Sequence, residues 1–296
     1  MAESRSPMQI RLTVALLAAA VVAAVASPHA LGGASPSTGA LQIALRAQGL
    51  YAGPLDGIAG PGTVRALRSF QQRAGLPPSG RLDRRTRLAM PRLGRPLAGK
   101  RVVGMRSTAG WDVSVLEFGL ARLGFDPGRI DGRFTTDTRG AVQRFQRYAR
   151  LPADGMVGKA TFRALRRIGA PSTRQPLAWP LHRPVVRKFG LAGMHLFPGI
   201  YMSAPYGTPL AAAGDGVITW AGWKPGGLGL LVAIRHAGGV ESLYGHLSRV
   251  DVRVGQRVVR GALVGLVGWT GKASRPHLYL EVRVRGAAVD PLTVLR

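Results

Sequence analysis

Leu41, Ala44 and Leu45 fall at the three- and four-residue intervals of one helical face, and Gly49 follows as a helix stop. Asp56-Gly57 reads as a turn, and Val64, Ala66, Leu67 and Phe70 form a second apolar stripe. The turn LPPSG then leads to a third helix beginning near Asp83. The same order returns 75 residues later without a gap. Gly49 matches Gly124, Asp56-Gly57 matches Asp131-Gly132, Thr63 matches Thr138, Phe70-Gln71 matches Phe145-Gln146, and Leu76-Pro77 matches Leu151-Pro152. In the second copy the stripes are Val115, Leu120 and Leu123, then Ala141, Val142 and Phe145, then Phe162 and Leu165. The pattern predicts two small three-helix units.

Residues 171–184 are Pro-rich and read as a linker, as does 93–110 between the two units. Beyond 184 the helical period gives way to alternation. GDGVITWAG, GLLVAIRHAGG, VESLYGHLS and HLYLEVRVRG, punctuated by glycine, predict short strands. In RPHLYLEV, residues 275–282, alternation sets His277, Tyr279 and Glu281 on one face and Leu278, Leu280 and Val282 on the other.

Composition changes the picture in three respects. A chain of 296 residues suits two or three domains. The formal charge of +27 comes from 41 Lys+Arg against 14 Asp+Glu; five are lysines (Lys100, Lys159, Lys188, Lys224, Lys272), leaving 36 arginines. That charge is spread along the whole chain, which fits arginine-heavy codon usage or attraction to a polyanion. The absence of cysteine excludes disulfides, a thiolate zinc site and a Cys nucleophile. At the N-terminus, Arg5 and Arg11 precede LTVALLAAAVVAAVA, with small residues at Ala24 and Ala26. Residues 1–26 therefore read as a secretory signal cleaved after Ala26. The run is short for a span of ~20 residues, and an uncleaved anchor is the alternative. No later segment is apolar for long enough to cross a bilayer, so a secreted or cell-wall location is expected.

LYAGPLDGIAGPGTVRALRSFQQRAGLPPSG and LGFDPGRIDGRFTTDTRGAVQRFQRYARLPADGMVG resemble the peptidoglycan-binding type 1 domain, a three-helix module. The resemblance covers about 38–92 and 111–169 and implies attachment to bacterial cell wall. Phe70 and Phe145 read as core, and Asp56 and Asp131 as turn-formers. Thr135 stands where the first copy and the family have Gly (Gly60 here), which predicts a looser second loop.

The phrases RKFG, PGIYMSAPYGTPLAAAGDGVITWAG, LVAIRHAGGVESLYGHLSRVDVRVGQRVVRGALVGLVGWTG, RPHLYLEV and VDP resemble the lysostaphin/LytM-type zinc endopeptidases. The resemblance implies, for 185–296, a mostly antiparallel β domain that in the family cleaves peptidoglycan peptides. It also implies a site. The family's H-x-G-x-D phrase supplies a His and an Asp to zinc, and the last His of H-x-H completes the set. Those positions hold Phe197, Tyr201 and Tyr279 here. The two non-ligand catalytic histidines are retained as His246, in Tyr244-Gly245-His246, and His277. A catalytic zinc needs three protein ligands and an open position; a benzyl ring has no lone pair and a phenol of pKa about 10 is a poor ligand. Tyr279 is thus expected to plug a site whose metal is gone. His195, Asp215, His236 and His182 do not restore the ligand set.

The fold class expected is α+β multidomain: two three-helix peptidoglycan-binding modules and a C-terminal LytM-type β domain. The function implied is a non-catalytic, exported wall protein, a scaffold or regulator of wall hydrolysis, with no cofactor and with Tyr244, His246, His277 and Tyr279 as binding residues. The alternative is an active metalloendopeptidase with an atypical site, which alone would require zinc. Expected partners are peptidoglycan and a wall hydrolase or other envelope protein. Nucleic acid is not expected, since no Lys/Arg-dense helix or aromatic-interleaved strand appears. P-loop, G-x-G-x-x-G and G-x-S-x-G motifs are also absent.

Overall fold

The computed structural model describes residues 34–91, 94–104 and 109–296. The signal-like segment at 1–26 lies outside the described residues. In the first unit are α1 (Pro36–Ala47), α2 (Pro61–Arg73) and α3 (Arg84–Ala89); in the second are α4 (Trp111–Arg122), α5 (Thr136–Tyr148) and α6 (Lys159–Arg167). No helix of the described residues is long and apolar enough to cross a membrane.

The repeated Phe-Gln…Leu-Pro…Gly spacing has a physical origin. Gln71 Oε1 accepts from the Gly80 N–H at 2.8 Å, and its Nε2 donates to Arg81 O and Thr86 Oγ1, each at 3.0 Å. In the second unit Gln146 Oε1 accepts from the Gly155 N–H at 2.9 Å and Nε2 donates to Met156 O at 2.8 Å. A buried glutamine thus closes the turn between the second and third helices of each unit. The Asp-Gly turns are closed from the first helix, but by different chemistry. Gln42 Oε1 accepts from the Gly57 N–H at 2.9 Å, whereas Glu117 Oε2 accepts from the equivalent Gly132 N–H at 2.7 Å. Asp56 and Asp131 accept from the N–H two residues on, as turn-formers do.

The looser second loop is not observed. Gly60 and Thr135 both precede a helix in extended conformation (φ −72° and −108°), and a Cβ on Gly60 would meet nothing within 4 Å. Threonine therefore fits, and it adds a reciprocal cap: its Oγ1 accepts from Thr138 N–H while Thr138 Oγ1 accepts from Thr135 N–H.

The two units share one core. Phe118, Ala121 and Ile130 of the second pack with Ala40, Leu41 and Ile43 of the first. Any Cβ on Gly39 would lie 2.4 Å from the Phe118 ring, so the close approach of α1 and α4 needs that glycine. Neither expected linker is free. Val103 is fully buried and pairs with Val157, and Arg101 bonds Asp112 at 2.8 Å. Leu177 enters the β-domain core, its N–H donating to Val294 O, because apolar side chains interrupt the Pro-rich run.

The β domain comprises β1 (Val185–Arg187), β2 (Gly190–Ala192), β3 (His195–Phe197), β4 (Ile200–Ser203), β5 (Pro209–Ala211), β6 (Gly216–Lys224) and β7 (Gly229–Arg235). It continues with β8 (Val240–Val250), β9 (Arg257–Val258), β10 (Leu263–Val267), β11 (His277–Val284) and β12 (Ala287–Val289). The main sheet runs β1-β4-β11-β8-β7-β6-β9, with β10 joining β5 and β8, and β12 on β11. Pairings between these strands are antiparallel. The separate β2–β3 hairpin inserts Leu196 into the helical core, and Ile130 N–H donates to Met194 O at 2.7 Å. This hairpin carries Phe197 to the candidate site.

Candidate functional site

Strands β4 and β11 pair Tyr201 with Tyr279 and Ser203 with His277. The alternation expected for β11 is observed: Leu278, Leu280 and Val282 lie in the β-domain core, and His277, Tyr279 and Glu281 face the other way. Phe197 approaches that second face from the end of β3. The rings of Phe197, Tyr201 and Tyr279 meet pairwise, with centroids 4.8, 5.9 and 5.9 Å apart and edge-to-face geometry. Each such pair contributes about 0.5–1.5 kcal/mol beyond area burial. The three side chains that the resemblance sets at the ligand positions thus converge on one point of the fold.

Each ring is locked in place. Tyr279 Oη donates to Glu281 Oε2 at 2.6 Å, and Arg283 Nε donates to Glu281 Oε1 at 2.6 Å. Burial, followed by the Glu281 charge, pushes the Tyr279 hydroxyl well above the usual phenol range. Gly199 permits the packing, since a Cβ there would come within 2.7 Å of the Tyr279 ring. The Arg187 guanidinium stacks on Phe197 at 3.8 Å and reaches Tyr201 at 5.5 Å, closing the outer side.

The two retained histidines adjoin this cluster. The His277 ring lies 4.1 Å from that of Tyr201 and 4.8 Å from that of His246. His246 Nδ1 is 2.8 Å from Thr270 O, and His277 Nδ1 is 2.8 Å from Arg275 O. A carbonyl only accepts, so both Nδ1 atoms carry the proton and both Nε2 atoms present lone pairs. Neither Nε2 has a hydrogen-bond partner. Burial holds both rings below the ordinary imidazole range, which keeps them neutral.

Two expectations need correction. Tyr244 does not join the site: it is wholly buried in the β-domain core, where Oη accepts from Ala213 N–H at 2.9 Å and from Ser242 Oγ at 3.0 Å. Four residues of β8, Tyr244 to Leu247, oppose three of β7, Leu230 to Val232, and His246 sits at φ 64°. That bulge sends Tyr244 and His246 to opposite faces. Nor do His246, His277 and Tyr279 form an open binding surface, since they are 2, 7 and 3 % exposed. The rings fill the volume that would have been a cleft.

The residues present do not fit the zinc that the fold implies. Phe197 offers no donor atom, and the Tyr279 hydroxyl is engaged with Glu281. Among the described residues no group of three or more His, Cys, Asp or Glu is placed to hold a metal ion. His195 is exposed at the start of β3, where its backbone pairs with Arg129. His236 is tied to Asp215 O and Ser242 Oγ, and Asp215 accepts from Arg260 N–H. His182 lies against Trp179. Arg187 and the Glu281 anchor escaped the sequence reading, although alternation did place Glu281 beside Tyr279.

Residues 195–291 match the model of peptidase family M23, and residues 35–90 and 110–165 match that of the peptidoglycan binding domain. The DD-carboxypeptidase/endopeptidase Mpg of Neisseria meningitidis serogroup B is 50% identical over 99 residues, 33% of this chain and 23% of that protein. The murein hydrolase activator EnvC of Escherichia coli is 38% identical over 126 residues, 42% of this chain and 29% of that protein. The cell division protein DipM of Caulobacter vibrioides is 36% identical over 131 residues, 42% of this chain and 22% of that protein. This chain thus spans less than a third of the length of each.

Proposed function

A chain that carries two peptidoglycan-binding domains and a peptidase family M23 domain without the family's ligand set is, we propose, a non-catalytic wall-binding protein that regulates or scaffolds hydrolysis by others. The observation that carries this reading is the ring cluster of Phe197, Tyr201 and Tyr279, at the positions that the resemblance gives to the ligands. His246 and His277 remain able to accept hydrogen bonds, but a neutral imidazole pair supplies acid–base help and no nucleophile. Similarity to a protein named a murein hydrolase activator supports the regulatory side of the proposal. Peptidoglycan lies outside the cytoplasmic membrane, so the place of work is extracytoplasmic, in keeping with the signal-like residues 1–26.

Peptidoglycan contact is assigned to the first helical unit. A cavity of about 480 Å³ lies between its Asp-Gly loop and α2, lined among others by Tyr51, Asp56, Ile58, Arg65 and Ser69. In the second unit Arg144 replaces Ser69, and its Nη2 donates to Asp126 O at 2.8 Å across the corresponding groove. That unit is also committed to the β domain through the Gly124–Ala288 and Ile130–Met194 backbone bonds. Duplication thus leaves one copy to hold the wall and one to hold its own β domain.

The test is a pair of measurements on the full chain with purified sacculi. Co-sedimentation should retain the protein, and muropeptide release should not exceed that of buffer. Release that scales with protein and stops on chelation would establish the active-endopeptidase reading instead.

A further inference from the structure

We propose that the cavity between the C-terminal end of α5 and the β11–β12 turn is a binding site for a phosphate ester. The cavity measures about 490 Å³ and is lined by Arg144, Arg147, Tyr148, Arg150, Arg285 and Gly286. Four arginines line it with no carboxylate among the lining residues, and Arg144 also donates through Nη2 to Asp126 O at 2.8 Å. Among the described residues none of the four forms an ion pair with an acidic side chain. Arg285 lies 4.7 Å over the Tyr148 ring, which spans the junction of helical unit and β domain.

Arginine-rich composition alone does not account for this cluster, because two of the four sit where the backbone disfavours any side chain. Arg150 has φ 57° just past the end of α5; the equivalent residue of the first unit is Gly75, at φ 66°. Arg285 and Gly286 form the two-residue turn between β11 and β12 with φ 50° and 86°, a turn that prefers Asn-Gly or Asp-Gly. Left-handed conformation in non-glycine residues is uncommon, and His246 is the one further case among the described residues. Two of three such residues therefore line one cavity, and both are arginine. Strain of this kind gathers where a side chain serves a ligand. Burial, then the charge of Arg283 beside the cavity, lowers the Arg144 pKa from its ordinary value; Arg147 adds to the effect, and Asp126 and Glu281 oppose it.

A phosphate ester matches this arrangement better than a single carboxylate. Its non-bridging oxygens accept from several guanidinium forks at once, and arginine recognises the group bidentately. The esterified carbon chain would lie along Tyr148. The site rests on the second helical unit and the β domain, and is independent of wall binding by the first unit.

Two substitutions test this without endangering the fold. Arg150→Gly and Arg285→Asn each install a residue that the local backbone prefers, so thermal stability should hold or rise. Calorimetric titration of the full chain with glycerol 1-phosphate should show binding that weakens about tenfold or more in each variant, the scale of one charge-assisted hydrogen bond. Arg253→Ala, on the exposed β8–β9 loop, changes the charge equally and should leave binding unchanged. Co-sedimentation with phosphatidylglycerol vesicles, against phosphatidylcholine, identifies the source. Retention that depends on Arg150 and Arg285 assigns a lipid headgroup, and absence of retention assigns a soluble or polymer-borne phosphate. No binding of glycerol 1-phosphate, equal weakening by Arg253→Ala, or tighter binding of citrate would overturn the proposal.

Discussion

Glu117 offers a quantitative check on the helical scaffold. It occupies the position of Gln42 in the repeat, is fully buried, and closes the Asp131-Gly132 turn through its Oε2. Burial pushes its carboxyl from 4.5 up to about 9, so the folded chain holds a proton at neutral pH that the unfolded chain releases. The sign follows from that difference. The stabilising contribution is complete below the unfolded value near 4.5, falls as pH rises, and is exhausted above about 9. Each pH unit inside the window costs about 1.4 kcal/mol, so from pH 5 to pH 7 the loss is about 3 kcal/mol. Glu117→Gln removes the titration and keeps the shape. Gln42 shows how the amide is accommodated, with Nε2 donating to Ile58 O at 3.1 Å and Thr63 Oγ1 at 3.2 Å; Thr138 is the counterpart of Thr63. Urea unfolding followed by far-UV circular dichroism should find the variant more stable than the parent at pH 7 by about 3 kcal/mol, with the gap nearly closed at pH 5. Parallel pH dependence in the two proteins, or a variant weaker at both pH values, would refute a buried protonated carboxyl at this position.

Three further outcomes are expected. Phe197→His, Tyr201→Asp and Tyr279→His combined should create stoichiometric zinc binding, measured by competition with a chromophoric chelator; a folded triple variant without affinity would refute the assignment of these residues to the ligand positions. Ser69→Arg, which copies Arg144 into the first unit, should weaken sacculus co-sedimentation at least about tenfold, or 1.4 kcal/mol. Generic charge attraction predicts the opposite, since the change adds a cation. Thr135→Ala should lower stability by about 1 kcal/mol in urea unfolding through loss of the helix cap, and an unchanged midpoint would show that the cap contributes nothing.

Much of this was legible in the chain, and the misses share a cause. The offset of 75 residues exposed the helical units, because buried Gln71 and Gln146 must each close a Pro/Gly turn of fixed length. Alternation in 275–282 separated Leu278, Leu280 and Val282 from His277, Tyr279 and Glu281, as the structure does. Alternation failed at Tyr244-Gly245-His246, because a bulge with a left-handed histidine reverses parity and nothing in the residue types announces it. The Pro-rich segment at 171–184 misled through composition: Leu177 and Leu181 carry it into the core. Packing between units was also hidden, although the Ser69/Arg144 difference within the repeat was a visible clue that the two copies face different neighbours.

The most direct test is equilibrium zinc titration of the purified full chain, with metal content measured before and after dialysis against a weak chelator. With aromatic rings at the three positions that the resemblance gives to ligands, the account predicts no retained stoichiometric metal and no saturable site at micromolar zinc. One equivalent of zinc that survives dialysis in the parent chain, and is lost on substitution of His246 or His277, would contradict it.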